Sequence, residues 1–139
     1  MIAYLDSSVI LRVILGQPTQ LAEWRTIATG VTSELAEVEC LRTIDRLRAR
    51  GLLSVEEMVV RREAVYRVIE ALETVDLTRA VLRRAAQPMP APLGTLDAIH
   101  LATAEMWREV REGEELVVAT HDAALGLAAR ASGFRVLGV

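Results

Sequence analysis

Only five of the 19 acidic residues in this 139-residue chain are aspartate, so the place of each one carries information. Asp6 and Asp122 stand at the ends of apolar runs, Asp97 falls in the first turn of a helical pattern, and Glu39 lies one turn inside another. Asp45 and Asp76 have unremarkable surroundings. Carboxylates gathered without a lysine partner repel one another, and a cluster of them is tolerable when it holds a divalent cation. All-oxygen donors select a hard ion, Mg2+ or Mn2+. Zinc does not fit, because Cys40 stands alone and His100 and His121 lack zinc-site spacing. Each acid also has a plainer reading. Asp6 or Asp122 could be a helix N-cap, Asp97 a favourable charge at a helix start, and Glu39 the partner of Arg42, a pairing of about 0.2–0.5 kcal/mol.

The elements that must position these acids follow from periodicity. Ile2 to Leu5 is a short apolar run ending in Asp6-Ser7-Ser8, after which Val9, Ile10, Val13 and Ile14 recur at helical spacing. An extended piece at Gly30–Ser33 leads into a helix with Leu35, Val38, Leu41 and Ile44 on one face and Arg42, Arg46 and Arg50 along another, ended by Gly51. Ser54-Val55-Glu56-Glu57 has capping-box spacing and opens a helix through Val65 and Val68. Ala71 to Leu77 reads as a strand and Thr78 as the cap of a helix to Ala86. Gln87 to Gly94, with three prolines, must be a loop. Thr95 is the expected cap of a helix carrying Ile99, Ala102, Thr103 and Met106 inward. Leu116 to Thr120 is the clearest buried strand, followed by His121-Asp122, a helix, Gly133 and a last strand from Phe134 to Val139. Strands alternating with helices imply crossovers, hence a mostly parallel sheet with helices on both faces. The acids at strand ends then share the crevice at the carboxyl edge.

Composition narrows the chemistry further. All 16 basic residues are arginine, so a P-loop or a Schiff-base enzyme is excluded, and with no asparagine there is no N-glycosylation acceptor. A net charge of −3 and a pI near 5.4 argue against coating nucleic acid by bulk electrostatics, while leaving room for a local basic patch. The length suits one domain, residues 1–139, whose core needs no disulfide. The start of the chain lacks the basic region of a signal peptide and no apolar run reaches membrane-spanning length, so a cytoplasmic protein with no membrane partner is expected.

Four segments taken together, in order and spacing, resemble the PIN-domain ribonucleases of the VapC toxin type. They are Tyr4-Leu5-Asp6-Ser7-Ser8, Ser33-Glu34-Leu35-Ala36-Glu37-Val38-Glu39-Cys40-Leu41-Arg42, Leu96-Asp97-Ala98-Ile99-His100-Leu101-Ala102-Thr103-Ala104 and Thr120-His121-Asp122. The likeness spans essentially the whole chain, and the third segment is its most specific part. It implies a three-layer α/β/α domain, acidic residues around Mg2+ or Mn2+, cleavage of RNA, and a VapB-type antitoxin that blocks it. Asp6, Glu39, Asp97 and Asp122 match the family's acids in turn. Glu34 and Glu37 compete for the second place, but only Glu39 is followed by Leu-Arg as in the family pattern. The further acid often found after the fourth is replaced here by Ala123, Ala124 and Leu125. By this likeness Asp6, Asp97 and Asp122 are metal ligands, directly or through water, and Glu39 is a ligand or positioning base. Ser8 and Thr120 are candidates to hold the carboxylates, with simple capping as the other reading.

Several residues stay open at this point. His100 is either a general acid near Asp97 or a buried structural histidine, the latter being the more frequent case. His121 faces substrate or solvent, and the Arg42, Arg46 and Arg50 stripe grips phosphate or an acidic partner or is a solvated face. Trp24 and Trp107 are too scattered for a base-stacking platform and are expected in the core or at a subunit interface. The 52% apolar content leaves room for an exposed groove of the kind that a homodimer or an antitoxin helix would bury. The expected function is a metal-dependent endoribonuclease, the toxin of a toxin–antitoxin pair. The alternatives are a PIN-like domain that binds RNA or a partner without cutting, and a metal-dependent phosphatase on a doubly wound fold. Against the phosphatase stand the missing lysine and Ser8, where such enzymes often carry a second aspartate.

Overall fold

The structure, a computed structural model, describes residues 1–139. The chain runs β1 (Ile2–Leu5), α1 (Ser7–Ile14), β2 (Thr29–Ser33), α2 (Leu35–Ala49), α3 (Val55–Glu70), β3 (Glu73–Val75), α4 (Arg79–Ala85), α5 (Thr95–Val110), β4 (Leu116–Ala119), α6 (Ala123–Ala131) and β5 (Arg135–Leu137). A single 3-10 turn at Trp24–Thr26 interrupts the connection from α1 to β2. The strands form one five-stranded sheet in the order β3-β2-β1-β4-β5, and every pairing is parallel. The chain therefore leaves β1 toward one edge, then returns to β1's other side at β4. The carboxyl ends of β1 and β4 form the switch point where such sheets open a crevice.

Strand alternation divides the core. Ala3 and Leu5 pack with Val9, Ile10, Ala36, Cys40, Ile44 and Val65 from α1, α2 and α3. Tyr4, one residue out of phase, packs with Leu101, Ala104, Trp107, Leu125 and Ala128 from α5 and α6. The result is an α/β/α sandwich. Extending the alternation past the strand ends puts Asp6 on the Tyr4 side, and Thr120 on the side of Val118, which belongs to the same cluster.

Local chemistry sets most of the boundaries. Ser54 and Glu57 form the reciprocal capping box that opens α3, and Thr78 caps α4 by accepting from the Val81 N–H. The N-cap of α5 is Gly94 and not Thr95, which is its first helical residue. On α2 the core-facing row is Ala36, Cys40 and Ile44, and Val38 is 56% exposed. Small side chains there let the helix lie close to its neighbours, so packing and not apolar content orients it. Ile99 and Ala102 of α5 face Val81 and α4, whereas Leu101 and Ala104 face the sheet, so α5 is buried on two sides. The last strand is shorter than Phe134–Val139, because Gly138 turns at φ 96° and a Cβ there would collide with the Thr120 carbonyl oxygen. No helix is long and apolar enough to cross a membrane.

Candidate active site

Asp6 follows β1 and is 3% exposed. It occupies the N-cap position of α1, but its side chain makes no capping hydrogen bond. Oδ2 instead accepts from Ser8 Oγ at 2.6 Å and from Thr120 Oγ1 at 2.8 Å. The two hydroxyls are themselves fixed from the other side. Ser8 Oγ accepts from the His121 N–H at 2.9 Å, and Thr120 Oγ1 accepts from the Asp122 N–H at 3.0 Å. The ends of β1 and β4 are thereby tied together through one carboxylate oxygen.

The other oxygen of Asp6, Oδ1, lies 3.6 Å from His100 Nε2. That nitrogen donates to Glu39 Oε1 at 2.5 Å, and Nδ1 sits 2.7 Å from the Tyr4 hydroxyl. A carboxylate only accepts, so the hydrogen-bond network assigns the Nε2–H tautomer to neutral His100, with the phenol donating to Nδ1. Burial, and then the charge of Asp6, push the Tyr4 hydroxyl well above its ordinary pKa, which keeps it a donor. Burial alone would lower the pKa of His100. The hydrogen bond to Glu39 and the charges of Asp6, Glu39 and Asp97 outweigh it, and the pKa is raised. His100 is thus fully buried, as the structural reading has it, and also touches two of the candidate acids.

Asp97, at the third position of α5, has its carboxyl pushed up to about 6, first by burial, then by the charges of Asp122 and Asp6, with Glu39 adding and His100 opposing. All four acids therefore act on one crevice. Asp122 differs from Asp6 in that its Oδ1 caps α6, accepting from the Leu125 N–H at 2.9 Å. Cys40, beside Glu39 in sequence, is buried, and desolvation followed by Glu39 and Asp6 pushes its thiol up to about 12, so it is no nucleophile. Glu34 turns away and accepts from the Leu77 N–H. Of the arginine stripe, Arg42 and Arg46 line a pocket with Glu39, and Arg50 does not. Trp107 is buried with its Nε1–H on Glu73, and Trp24 packs partly against the core.

The donor set suits a hard cation, being carboxylate oxygen with no lysine or arginine paired to it, and the carboxyl of Asp97 is raised by burial first and by its acidic neighbours second. No group of three or more His, Cys, Asp or Glu side chains is already drawn into chelating geometry. The Tyr4–His100–Glu39 chain was not legible as a unit. Its one sequence signal is that Tyr4 precedes Asp6 by two, on the same strand face, and His100 follows Asp97 by three, on the same helix face.

The PIN domain family model matches residues 3–131. Ribonuclease VapC35 of Mycobacterium tuberculosis is 34% identical over 140 aligned positions, covering 96% of this chain and 94% of that protein. Ribonuclease VapC47 of the same organism is 32% identical over 108 residues, 73% of each. Among solved structures, FitAB bound to an IR36 DNA fragment matches with a TM-score of 0.71 at 18% identity, covering 98% of this chain and 93% of that one. A toxin–antitoxin complex from Klebsiella pneumoniae matches with a TM-score of 0.63 at 15% identity over 86% of each chain. The crevice at the β1–β4 switch point, the sheet order and these relatives agree: the chain belongs to the PIN-domain family, in the company of the VapC-type ribonucleases.

Proposed function

We propose that this protein is a Mg2+- or Mn2+-dependent endoribonuclease, the toxin of a toxin–antitoxin module. In this reading it works in the cytoplasm as a homodimer and is restrained by a VapB-type antitoxin. The observation that carries the catalytic part is the handling of Asp6. A buried carboxylate at a helix start forgoes capping and is held by one hydroxyl from the first turn of α1 and one from the end of β4, beside Asp97, Asp122 and Glu39. Asp6, Asp97 and Asp122 would hold the ion, with Glu39 as a ligand or positioning base. A divalent cation bound there supplies Lewis acidity toward the phosphate oxygens and toward an attacking water. Ser8 and Thr120 fix the direction of Asp6. His100, gripped by Tyr4 and Glu39, fixes Glu39 and holds a proton at Nε2 beside Asp6.

Relatives named as VapC ribonucleases support RNA as the substrate, and a fold shared with a toxin–antitoxin complex is in keeping with an antitoxin partner. Exposed Leu52, Val55, Val59 and Val60, at 47–65% exposure, give an antitoxin helix or a second copy apolar surface to bury. The phosphatase alternative would want a second carboxylate at position 8, where Ser8 donates to Asp6.

The test is calorimetric titration of Mn2+ into the wild type and Asp97→Asn, beside cleavage of single-stranded RNA. Binding by the wild type, lost in the variant together with cleavage, is the expected result. No heat of binding in either protein would favour a non-catalytic domain, and Mn2+ binding without RNA cleavage would point to another metal-dependent reaction.

A further inference from the structure

Helix α2 carries a second row of residues that the carboxylate crevice does not use. Its core row is Ala36, Cys40 and Ile44, and the adjacent row is Leu35, Val38, Glu39, Arg42, Thr43 and Arg46. That row, with Leu96 from the start of α5, lines a surface groove of about 240 Å³. One end of the groove is Glu39, in the crevice, and the other is Arg46, about 10 Å farther along the helix axis at 1.5 Å per residue.

The groove combines two chemistries. Val38 and Leu96 are 56% and 49% exposed, and they stand with Leu35 as apolar wall. Arg42 and Arg46 supply positive charge one turn apart. Arg46 donates to the Thr43 hydroxyl, an uncharged partner, and forms no ion pair. Arg42 pairs at 3.0 Å with Asp45, but both are solvent-exposed and Asp45 also faces Arg48 at 3.5 Å. Such a surface pair contributes about 0–1 kcal/mol and yields readily to a phosphate. In a chain of net charge −3, this lines a groove that starts at Glu39 with one guanidinium free of any ion pair and another held only by a surface pair. A solvated helix face would have no reason to hold Val38 and Leu96 open next to them, beside a half-buried Leu35. A single-stranded nucleotide presents both an apolar ring face and a dense negative charge within one residue's length.

We propose that this groove is a subsite for the nucleotide adjoining the scissile phosphate of single-stranded RNA. Arg42 and Arg46 hold flanking phosphate, and Leu35, Val38 and Leu96 support a base. The proposal rests on the reading of the crevice as a ribonuclease centre.

The experiment measures binding of a fluorescein-labelled, random-sequence RNA hexamer by anisotropy in EDTA from 50 to 200 mM salt, and cleavage of the same RNA in Mn2+. Arg42→Ala/Arg46→Ala should weaken binding about tenfold at 100 mM salt. The log–log salt slope should also shrink by about 1.4, or roughly 0.7 per lost phosphate contact. Arg42→Lys/Arg46→Lys should restore the slope. Val38→Ser should weaken binding about fourfold, the worth of roughly one buried methylene, with the slope unchanged. All these positions except Leu35 and Glu39 are exposed enough for the variants to fold, which thermal melting verifies. Arg135→Ala, on an exposed position of β5, reports loss of charge alone. An equal loss in Arg135→Ala overturns the subsite. So does unchanged RNA affinity in the arginine pair variant while the wild type cleaves, an outcome that leaves the nuclease reading intact. Arginine-dependent binding by a wild type that does not cleave in Mn2+ upholds the subsite and sinks the nuclease reading. If an acidic peptide and not RNA loses affinity in the pair variant, a protein segment is the occupant and the proposal fails.

Discussion

Asp6 and Asp122 stand at matching places, each after a central strand and each at the N-cap of the helix that follows, yet they spend their oxygens differently. Asp122 caps α6 through Oδ1. Asp6 leaves the α1 N-terminus uncapped by its side chain and accepts from Ser8 and Thr120. The difference lies in hydroxyl supply. Ser8 reaches Asp6 from the first turn of α1 and Thr120 from the end of β4, whereas Thr120 meets Asp122 only through the backbone N–H. Capping at an N-terminus stabilises by about 1 kcal/mol. Asp6 forgoes it and is held in a fixed direction by two hydroxyls, hydrogen bonds to a charged group that contribute about 1.5–3 kcal/mol each.

Substitutions can break this comparison, and the largest effect belongs to Asp6. Asp6→Asn should reduce Mn2+-dependent RNA cleavage by at least about a thousandfold, the scale on which lost electrostatic stabilisation acts, as a gel assay of labelled RNA would measure. Asp122 is expected to do two jobs, which two variants separate. Asp122→Ala should lose cleavage and about 1 kcal/mol of stability together, and Asp122→Ser, which keeps a capping oxygen, should lose cleavage while melting near the wild type. If Asp122→Ser cleaves normally, Asp122 is a cap and nothing more. Next in size, Ser8→Ala and Thr120→Val should each weaken Mn2+ binding about 10–100-fold by releasing the orientation of Asp6. Calorimetry on the two variants checks this, and an unchanged affinity would make the hydroxyls mere structural ties between α1 and β4.

Much of the fold that carries this contrast is legible in the sequence. The apolar runs at 2–5 and 116–119, the capping box at Ser54 and the prolines at 88–92 mark out strands, helix and loop through local chemistry alone. The four acids fall where a parallel sheet would converge them. What the pattern could not give was orientation. On α2 the apolar Val38 looks like core, but Ala36 and Cys40 take that place because their small size permits close approach. Which aspartate caps and which is held is equally hidden, since it depends on Thr120 meeting Asp6 across 114 residues. His100 admits a structural or a catalytic reading from the sequence, and the structure buries it in hydrogen bonds to Tyr4 and Glu39, as the structural reading expects.

The smallest effect sharpens the comparison through Asp97, which senses both strand-end aspartates. Burial and its acidic neighbours push its carboxyl up to about 6 in the fold, from 3.8 when free. Between those values the folded state binds the proton and the unfolded chain does not, so stability falls as pH rises through the window and the full penalty persists above 6. His100 acts in the same sense, because its raised pKa gives stability below the ordinary 6.5 that is lost as pH climbs through the folded value. The metal-free protein should therefore melt at a lower temperature at pH 7.5 than at pH 5.5. Asp97→Asn should keep only the part of that dependence due to His100. A divalent ion reverses the preference by requiring Asp97 ionised, so Mn2+ affinity should rise with pH through about 6 and binding should release protons. Equal heats of Mn2+ binding in buffers of different ionisation enthalpy at pH 6 would mean that no proton leaves. Asp97 would then lie outside the ion's reach, and the crevice would be centred on Asp6 and Asp122 alone.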